Sequence, residues 1–192
     1  GLSSTYSLVN VVAEHLKMLL DAGIPTKVLV SEDCPDSDRS GIFADERLEW
    51  VKITNRLDGR PIQWHDYSQP SGEVHESFYA EAEVIAQSLQ AALSDVDVCI
   101  MHDIHYQGWH LVHNVAVRKA QEGLPHVRFI AFTHSAPVNR PPAPQYPFSC
   151  RYTAMPHTIY VYPTQSGIPA LARQYDVPEG KCRVVSNSLN LL

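Results

Sequence analysis

Two short polar segments contain the side chains in this sequence that are best suited to chemistry. Residues 102–105 (His-Asp-Ile-His) and 133–135 (Thr-His-Ser) each follow an apolar run typical of a buried strand. Imidazole and carboxylate groups can hydrogen-bond the hydroxyl groups of a sugar. Ligands of parallel α/β sheets bind at the carboxyl ends of the strands. We therefore expect both segments at one edge of a sheet, with Asp103, His105 and His134 as candidate site residues.

The same residues also have ordinary structural interpretations. Asp103 can cap the start of the helix that Gly108 and Trp109 open, and His105 can pack locally. His134 can be a hydrogen-bonded residue at a strand end. The sequence leaves these alternatives open.

The ten histidines raise the question of a metal site. His102/His105 and His110/His113 are both HxxH pairs, but no HExxH motif or cysteine-rich set of partners accompanies them. The members of the first pair diverge at a strand end. We therefore expect no metal and no other cofactor.

Two further segments are candidates for binding an anion. The start of the chain places small residues and backbone N–H groups before a helix, which favours a phosphate, although Ser and Thr are also ordinary helix caps. The residues of this predicted phosphate loop are Gly1, Leu2, Ser3 and Ser4. The proline-rich stretch 136–156 is long enough for a binding loop, and its Arg140 and Arg151 suit an anionic or ring-shaped substrate. The alternative is a loop that only covers apolar surface.

The elements that would position these side chains alternate between strand and helix. Apolar residues at helical spacing predict helices over 8–20, 76–93, 109–120 and 167–175. Apolar runs predict strands at 27–30, 49–53, 61–67, 96–101, 127–132, 158–162 and 182–185. This alternation predicts an α/β fold, with a Rossmann-like, mostly parallel sheet and helices on both faces.

Composition narrows the class of protein. The 192 residues are 44% hydrophobic and 19% charged, which fits one α/β domain with a proper core. A net charge of -6 argues against a general nucleic-acid binder. No apolar run approaches the length of a membrane helix, and the first ten residues lack a signal-peptide pattern. The scattered cysteines Cys34, Cys99, Cys150 and Cys182 predict free thiols, and we expect a cytoplasmic protein.

The first predicted element is a helix, whereas a sheet of this kind normally begins with a strand. The empty position would lie between the strands at 27–30 and 96–101. We therefore expect either an upstream strand in the natural protein or another segment there, such as residues 61–67 or a neighbouring chain.

Several segments, in chain order, resemble motifs of the retaining glycosyltransferases of family 4. The start resembles the family's Gly-Gly-Leu-Ser-Thr-Tyr loop, and the first helix end with its following strand resembles "L…xxGHxVxVL". Later strand ends resemble "DVVHxHDxH" and "TxH", and the last part follows "vxxSxxxxxxLxxxYgVPxxKxxVIxNGxD". These segments are residues 1–6, 21–30, 97–105, 132–134 and 159–185, and Asn187 falls on the Asn of the last motif. The sequence departs from the pattern at Thr164, Ser188 and Asn190, where Ser, Gly and Asp are usual, and 31–71 matches no motif.

The resemblance implies a GT-B architecture, in which two Rossmann-like domains enclose the active site. Residues 1–192 would form the N-terminal, acceptor-side domain, and the donor-binding domain would be absent, so we expect the isolated chain to be inactive. The implied partners are a nucleotide sugar, an acceptor and the protein's own C-terminal domain. The implied reaction retains configuration, with His134 near the reacting carbon and His105 on the acceptor side.

Two other interpretations keep part of this picture. In an inverting GT-B transferase or a UDP-sugar epimerase, His134 would act as a general base. In a non-catalytic domain, the same fold would bind a glycan or a protein partner.

Overall fold

The computed structural model describes residues 2, 7–68, 73–138 and 145–187. The chain divides into two compact units, one formed by Gly1–Asn55 with Asn187–Leu192 and the other by Arg56–Ser186. Parallel strands flanked by helices confirm the predicted α/β, Rossmann-like fold class. That residues 1–192 act as one acceptor-side domain stays a prediction.

The first unit is a helix followed by a pair of parallel strands. Its elements are α1 (Ser7–Asp21), β1 (Thr26–Ser31) and β2 (Leu48–Ile53), with short 3-10 turns at Asp36–Asp38 and Gly41–Ala44. Helix α1 ends because Gly23 adopts a φ of 70°, and the amides of Gly23 and Ile24 return to the carbonyls of Leu20 and Leu19. The core consists of Leu16, Leu20, Val28, Phe43 and Leu48.

The second unit contains the larger parallel sheet, with strand order β5-β6-β7-β8. Its strands are β3 (Arg56–Leu57), β4 (Arg60–Pro61), β5 (Val98–His102), β6 (Arg128–Phe132), β7 (Thr158–Tyr162) and β8 (Cys182–Val184). Its helices are α2 (Phe78–Leu93), α3 (Leu111–Glu122) and α4 (Ile168–Tyr175). Helix α2 packs against α3. Phe78, Ile85, Leu111, Phe129 and Tyr160 are fully buried and form much of the core.

The strand predicted at residues 61–67 is wrong. Only Pro61 lies in a strand, and that strand is half of a two-residue antiparallel hairpin with Arg56–Leu57. The turn residues Asp58 and Gly59 have φ values of 50° and 77°, as a tight hairpin turn requires. The Asp58-Gly59 pair is therefore the local signal that indicates a hairpin turn at this point of the chain. Residues 62–68 form no regular element, so they supply no strand to a parallel sheet.

The described second half of the proline-rich loop is held by a side chain from α3. A 3-10 turn spans Phe148–Tyr152. Arg118 donates hydrogen bonds to the carbonyls of Cys150, Thr153 and Ala154 at 2.7, 2.7 and 2.8 Å. Thr153 and Ala154 lie outside the helices and strands, so the bonds to them satisfy carbonyl groups that no regular element pairs. This part of the loop is thus attached to helix α3 of the second unit.

Two expectations about the whole chain can be compared with its described part. All four cysteines are free thiols. Within the described ranges, no helix combines the length and the apolar character needed to cross a membrane.

Candidate functional site

The parallel pairing of β5 and β6 brings the two predicted segments to one edge of the sheet. His102 at the end of β5 lies in register with Phe132 at the end of β6. The loops that follow therefore leave the sheet side by side. A direct contact joins them, since Nε2 of His105 lies 3.1 Å from Oγ1 of Thr133.

Asp103 connects the two loops through its carboxylate. Oδ1 accepts hydrogen bonds from the backbone N–H of His134 and from the hydroxyl of Tyr106, both at 2.9 Å. The Tyr106 hydroxyl in turn accepts from the backbone N–H of Ser135 at 3.2 Å. Asp103 has a φ of 59°, which Asp tolerates better than most residues. Asp103 is buried, and the following 3-10 turn has Gln107 at its N-cap, so Asp103 organises the loops and does not cap a helix.

The side chain of His134 forms a pair with His102. Nδ1 of His102 lies 2.9 Å from Nε2 of His134, and the ring planes are 18° apart with centroids 5.2 Å apart. The ring of Phe132 stacks on His102, with a centroid distance of 5.2 Å. Both imidazoles are partly exposed. Burial lowers the pKa of His134, and the nearby Asp103 opposes that shift, so the neutral imidazole is favoured.

His105 lies beneath this pair. Its side chain is fully buried, and its Nδ1 has no hydrogen-bond partner in the described part of the chain. Burial, reinforced by His102, His134 and Arg118, lowers the pKa of His105 to about 3. In this arrangement His105 is a neutral residue that supports Thr133, and it does not reach the open edge where an acceptor would lie.

Arg151 is also used inside the protein. Its guanidinium donates to the carbonyl of Tyr106 at 2.5 Å and to that of Ser68 at 3.5 Å, and the residue is buried. The backbone at Ser68 also lies close to Gly108, since a Cβ atom added at Gly108 would lie 2.4 Å from the Ser68 nitrogen. Arg151 therefore ties three segments together instead of presenting its charge to a substrate. Arg140 lies outside the described residues.

Of the four residues of the predicted phosphate loop, the structure describes Leu2. The backbone N–H of Leu2 donates to Oδ2 of Asp38 at 2.6 Å. Gly1, Ser3 and Ser4 lie outside the described residues. Within the first unit, a cavity of about 410 Å³ is lined by Leu2, Leu29, Val30, Ser31, Asp33 and Cys34, at the carboxyl end of β1.

The HxxH pairs do not assemble a metal centre in the described ranges, where no group of three or more His, Cys, Asp or Glu side chains converges. His102 faces His134, whereas His105 faces Thr133. The rings of His110 and His113 are nearly perpendicular, with centroids 5.7 Å apart. Burial lowers the pKa of His113 to about 4.

A second histidine cluster lies elsewhere in the same unit, and sequence reasoning missed it. His75 bonds the hydroxyl of Tyr67 through Nδ1 and Glu81 through Nε2, the latter at 2.7 Å. The other carboxylate oxygen of Glu81 accepts from Ser77 at 2.8 Å. Tyr67 packs edge-on against Phe78. We call Tyr67, His75 and Glu81 the His75 cluster.

The sequence placed His102 in the polar segment 102–105 and in an HxxH pair, but it did not identify His102 as a site residue or as the partner of His134. A usable signal existed, because both neighbouring strand ends carry histidines within two residues of their last apolar position. Neither a protein-family model nor a curated protein matches this chain. A function is therefore proposed from the residues and their geometry.

Proposed function

We propose that this chain is the acceptor-side part of a glycosyltransferase that transfers a sugar from a nucleotide sugar to a hydroxyl group with retention of configuration. The observation that supports this most is the half-buried His102–His134 pair at the carboxyl edge of β5 and β6. Ligands of parallel α/β sheets bind at such an edge. The ordered series of resembling motifs points to the same chemistry.

A neutral imidazole suits this reaction. In retaining transfer, positive charge develops on the sugar ring while the leaving diphosphate helps to remove the acceptor proton. A charged His134 would oppose the first of these changes, whereas burial favours its neutral form. His134 would then contribute a hydrogen bond to the transferred sugar near the reacting carbon.

The loops around His134 are suited to holding it in place. Its backbone is fixed by the Asp103 carboxylate, and the next residue, Ser135, is fixed by Tyr106. His105 and Thr133 form a buried layer beneath. Catalysis by positioning needs side chains that keep one geometry before the substrate arrives.

An inverting transfer is the second candidate, and the same neutral imidazole favours it. A general base must be unprotonated at the working pH, which the lowered pKa of His134 provides. The ring of His134 pairs with an imidazole, however, whereas the Asp103 carboxylate bonds its backbone. A carboxylate partner would stabilise the imidazolium that general-base catalysis produces. This contact pattern favours the retaining reaction.

The test is a screen of the chain, and of any longer product of the same gene, with a panel of nucleotide sugars and hydroxyl acceptors. Proton NMR of the products gives the anomeric configuration. We expect transfer with the donor's configuration retained. An inverted product would select the second candidate, and failure of every gene product to transfer or bind any panel member would contradict both.

A further inference from the structure

We propose that His102 is a positioning residue, which decides whether His134 offers a ligand a hydrogen-bond donor or an acceptor. We also infer that the two imidazoles take up protons as a coupled pair. The role of the pair towards a sugar rests on the proposed function, whereas the pairing itself rests on the contact geometry. Nothing in the resemblance gives His102 a role.

The pair has only one hydrogen to place between its facing nitrogens. The 2.9 Å separation between Nδ1 of His102 and Nε2 of His134 is that of a hydrogen bond. A neutral imidazole carries one N–H and one bare nitrogen. One ring must therefore donate while the other accepts.

The two possible arrangements present different groups outside the pair. If His102 donates from Nδ1, the proton of His134 lies on its own Nδ1, which becomes a donor. If His134 donates from Nε2, its Nδ1 is bare and becomes an acceptor. The tautomer of His102 therefore fixes what His134 can do for a sugar hydroxyl.

The surroundings of the pair favour the addition of one proton over the addition of two. Facing the pair are the Asp103 carboxylate, the buried His105 and the hydroxyl of Tyr106, and the ring of Phe132 lies near both imidazoles, with centroid distances of 5.2 and 6.1 Å. A first added proton keeps the bond between the rings. A second would remove it and place two positive charges on rings whose centroids are 5.2 Å apart. The pair should therefore take up protons in two well-separated steps.

Two variants at His102 separate the hydrogen bond from the ring packing. His102→Phe keeps an aromatic ring beside Phe132 and His134 but removes the bond. His102→Asn removes the ring but keeps a hydrogen-bonding group near the position of Nδ1. Neither change alters the contacts that Asp103 makes with the His134 backbone.

The experiment is a pH titration of the ¹⁵N-labelled chain, read from the imidazole nitrogen shifts that report tautomer and charge. In the natural sequence we expect a single His134 tautomer and two protonation steps more than about one pH unit apart. In His102→Phe we expect one step for His134 and a mixture of tautomers. His102→Asn keeps a hydrogen-bonding partner that does not titrate, so His134 should again take up its proton in one step, and a second step in that variant would contradict the coupling.

One-step titration of His134 in the natural sequence, or identical His134 shifts in His102→Phe, would overturn the proposal. If circular dichroism shows His102→Phe to be unfolded, the natural sequence and His102→Asn still decide the question. The titration uses no sugar. A failed transfer screen therefore leaves the coupling intact, and an absent coupling leaves the transfer result intact.

Discussion

The second unit contains two histidine clusters of opposite character. In the His75 cluster, the imidazole lies between a buried tyrosine and a buried carboxylate, and every side-chain polar atom of Tyr67, His75 and Glu81 has a hydrogen-bond partner within the cluster or on Ser77. In the strand-edge pair, His102 and His134 bond each other, and the neighbouring carboxylate bonds backbone. The first cluster is closed on itself, whereas the second is partly exposed.

The difference separates histidines that hold the fold from histidines that can meet a ligand. The His75 cluster attaches the irregular segment before α2 to the first turn of that helix, so its contribution should be to stability. The strand-edge pair lies where loops leave the sheet, and its loops are held by Asp103 instead of by the rings themselves. Changes to the two clusters should therefore have different consequences.

Breaking the His75 cluster should have the largest effect. Glu81→Ala leaves the ring of His75 and the hydroxyl of Ser77 without their acceptor in a mostly buried place. We expect the free energy of unfolding to fall by about 3 kcal/mol, measured by urea denaturation.

Glu83→Ala is the matched control on the same helix. Glu83 pairs with Lys119 at 2.7 Å, but the two side chains are 47% and 37% exposed, so the loss of stability in Glu83→Ala should be much smaller. Equal losses in the two variants would remove the distinction between a closed buried cluster and a surface pair.

The layer beneath the strand-edge pair should make stability depend on pH. His105 has a pKa of about 3 in the folded protein and 6.5 as its ordinary value. Below pH 6.5 the unfolded chain binds a proton at His105, whereas the folded chain does not bind it until the pH approaches 3. The contribution of neutral His105 to the free energy of unfolding is therefore complete above pH 6.5 and is lost as the pH falls towards 3. Between pH 6.5 and 5 we expect a loss of about 1.5 kcal/mol from this residue.

The measurement is the free energy of unfolding against pH, compared with His105→Gln. Glutamine does not titrate and can keep a hydrogen bond to Thr133, so the variant's profile should be flatter by about one proton between pH 6.5 and 5. Parallel profiles would show that His105 binds protons equally in the folded and unfolded states, which would contradict its lowered pKa.

Much of the fold could be predicted because apolar runs and helical spacing are local signals. The strand predicted at 158–162 has the observed bounds of β7, and the other strands of the larger sheet differ by one or two residues. The strand predicted at 61–67 is wrong because a short stretch of apolar residues does not by itself supply a neighbouring strand, and the Asp58-Gly59 turn forms a two-residue hairpin that ends at Pro61.

Less of the candidate site could be predicted, because side-chain partners depend on tertiary packing. Because Asp103 and His134 each follow a predicted strand, the sequence predicted their place at the edge of the sheet. It could not show that the Asp103 carboxylate would bond backbone, or that Arg151 would be occupied by the carbonyls of Tyr106 and Ser68. The His102–His134 contact depends on the register between β5 and β6, which periodicity does not specify.

Replacing His134 should affect the fold less than the changes above. The Asp103 carboxylate bonds the backbone N–H of residue 134, which alanine keeps, and the imidazole itself is only partly buried. We therefore expect His134→Ala to remain folded, with a thermal transition close to that of the natural sequence. The variant can then report on function.

The most direct test of the account is the turnover of His134→Ala in the transferring form of the protein, measured with saturating nucleotide sugar and acceptor. His126→Ala is the control, because His126 is an exposed histidine that bonds only the carbonyl of Ser94 among the contacts found in the described chain. We predict that turnover falls more than about tenfold in His134→Ala, or roughly 1.4 kcal/mol of transition-state stabilisation, and that it is unchanged in His126→Ala. Near-normal turnover in His134→Ala would contradict the placement of the sugar site at the edge of β5 and β6.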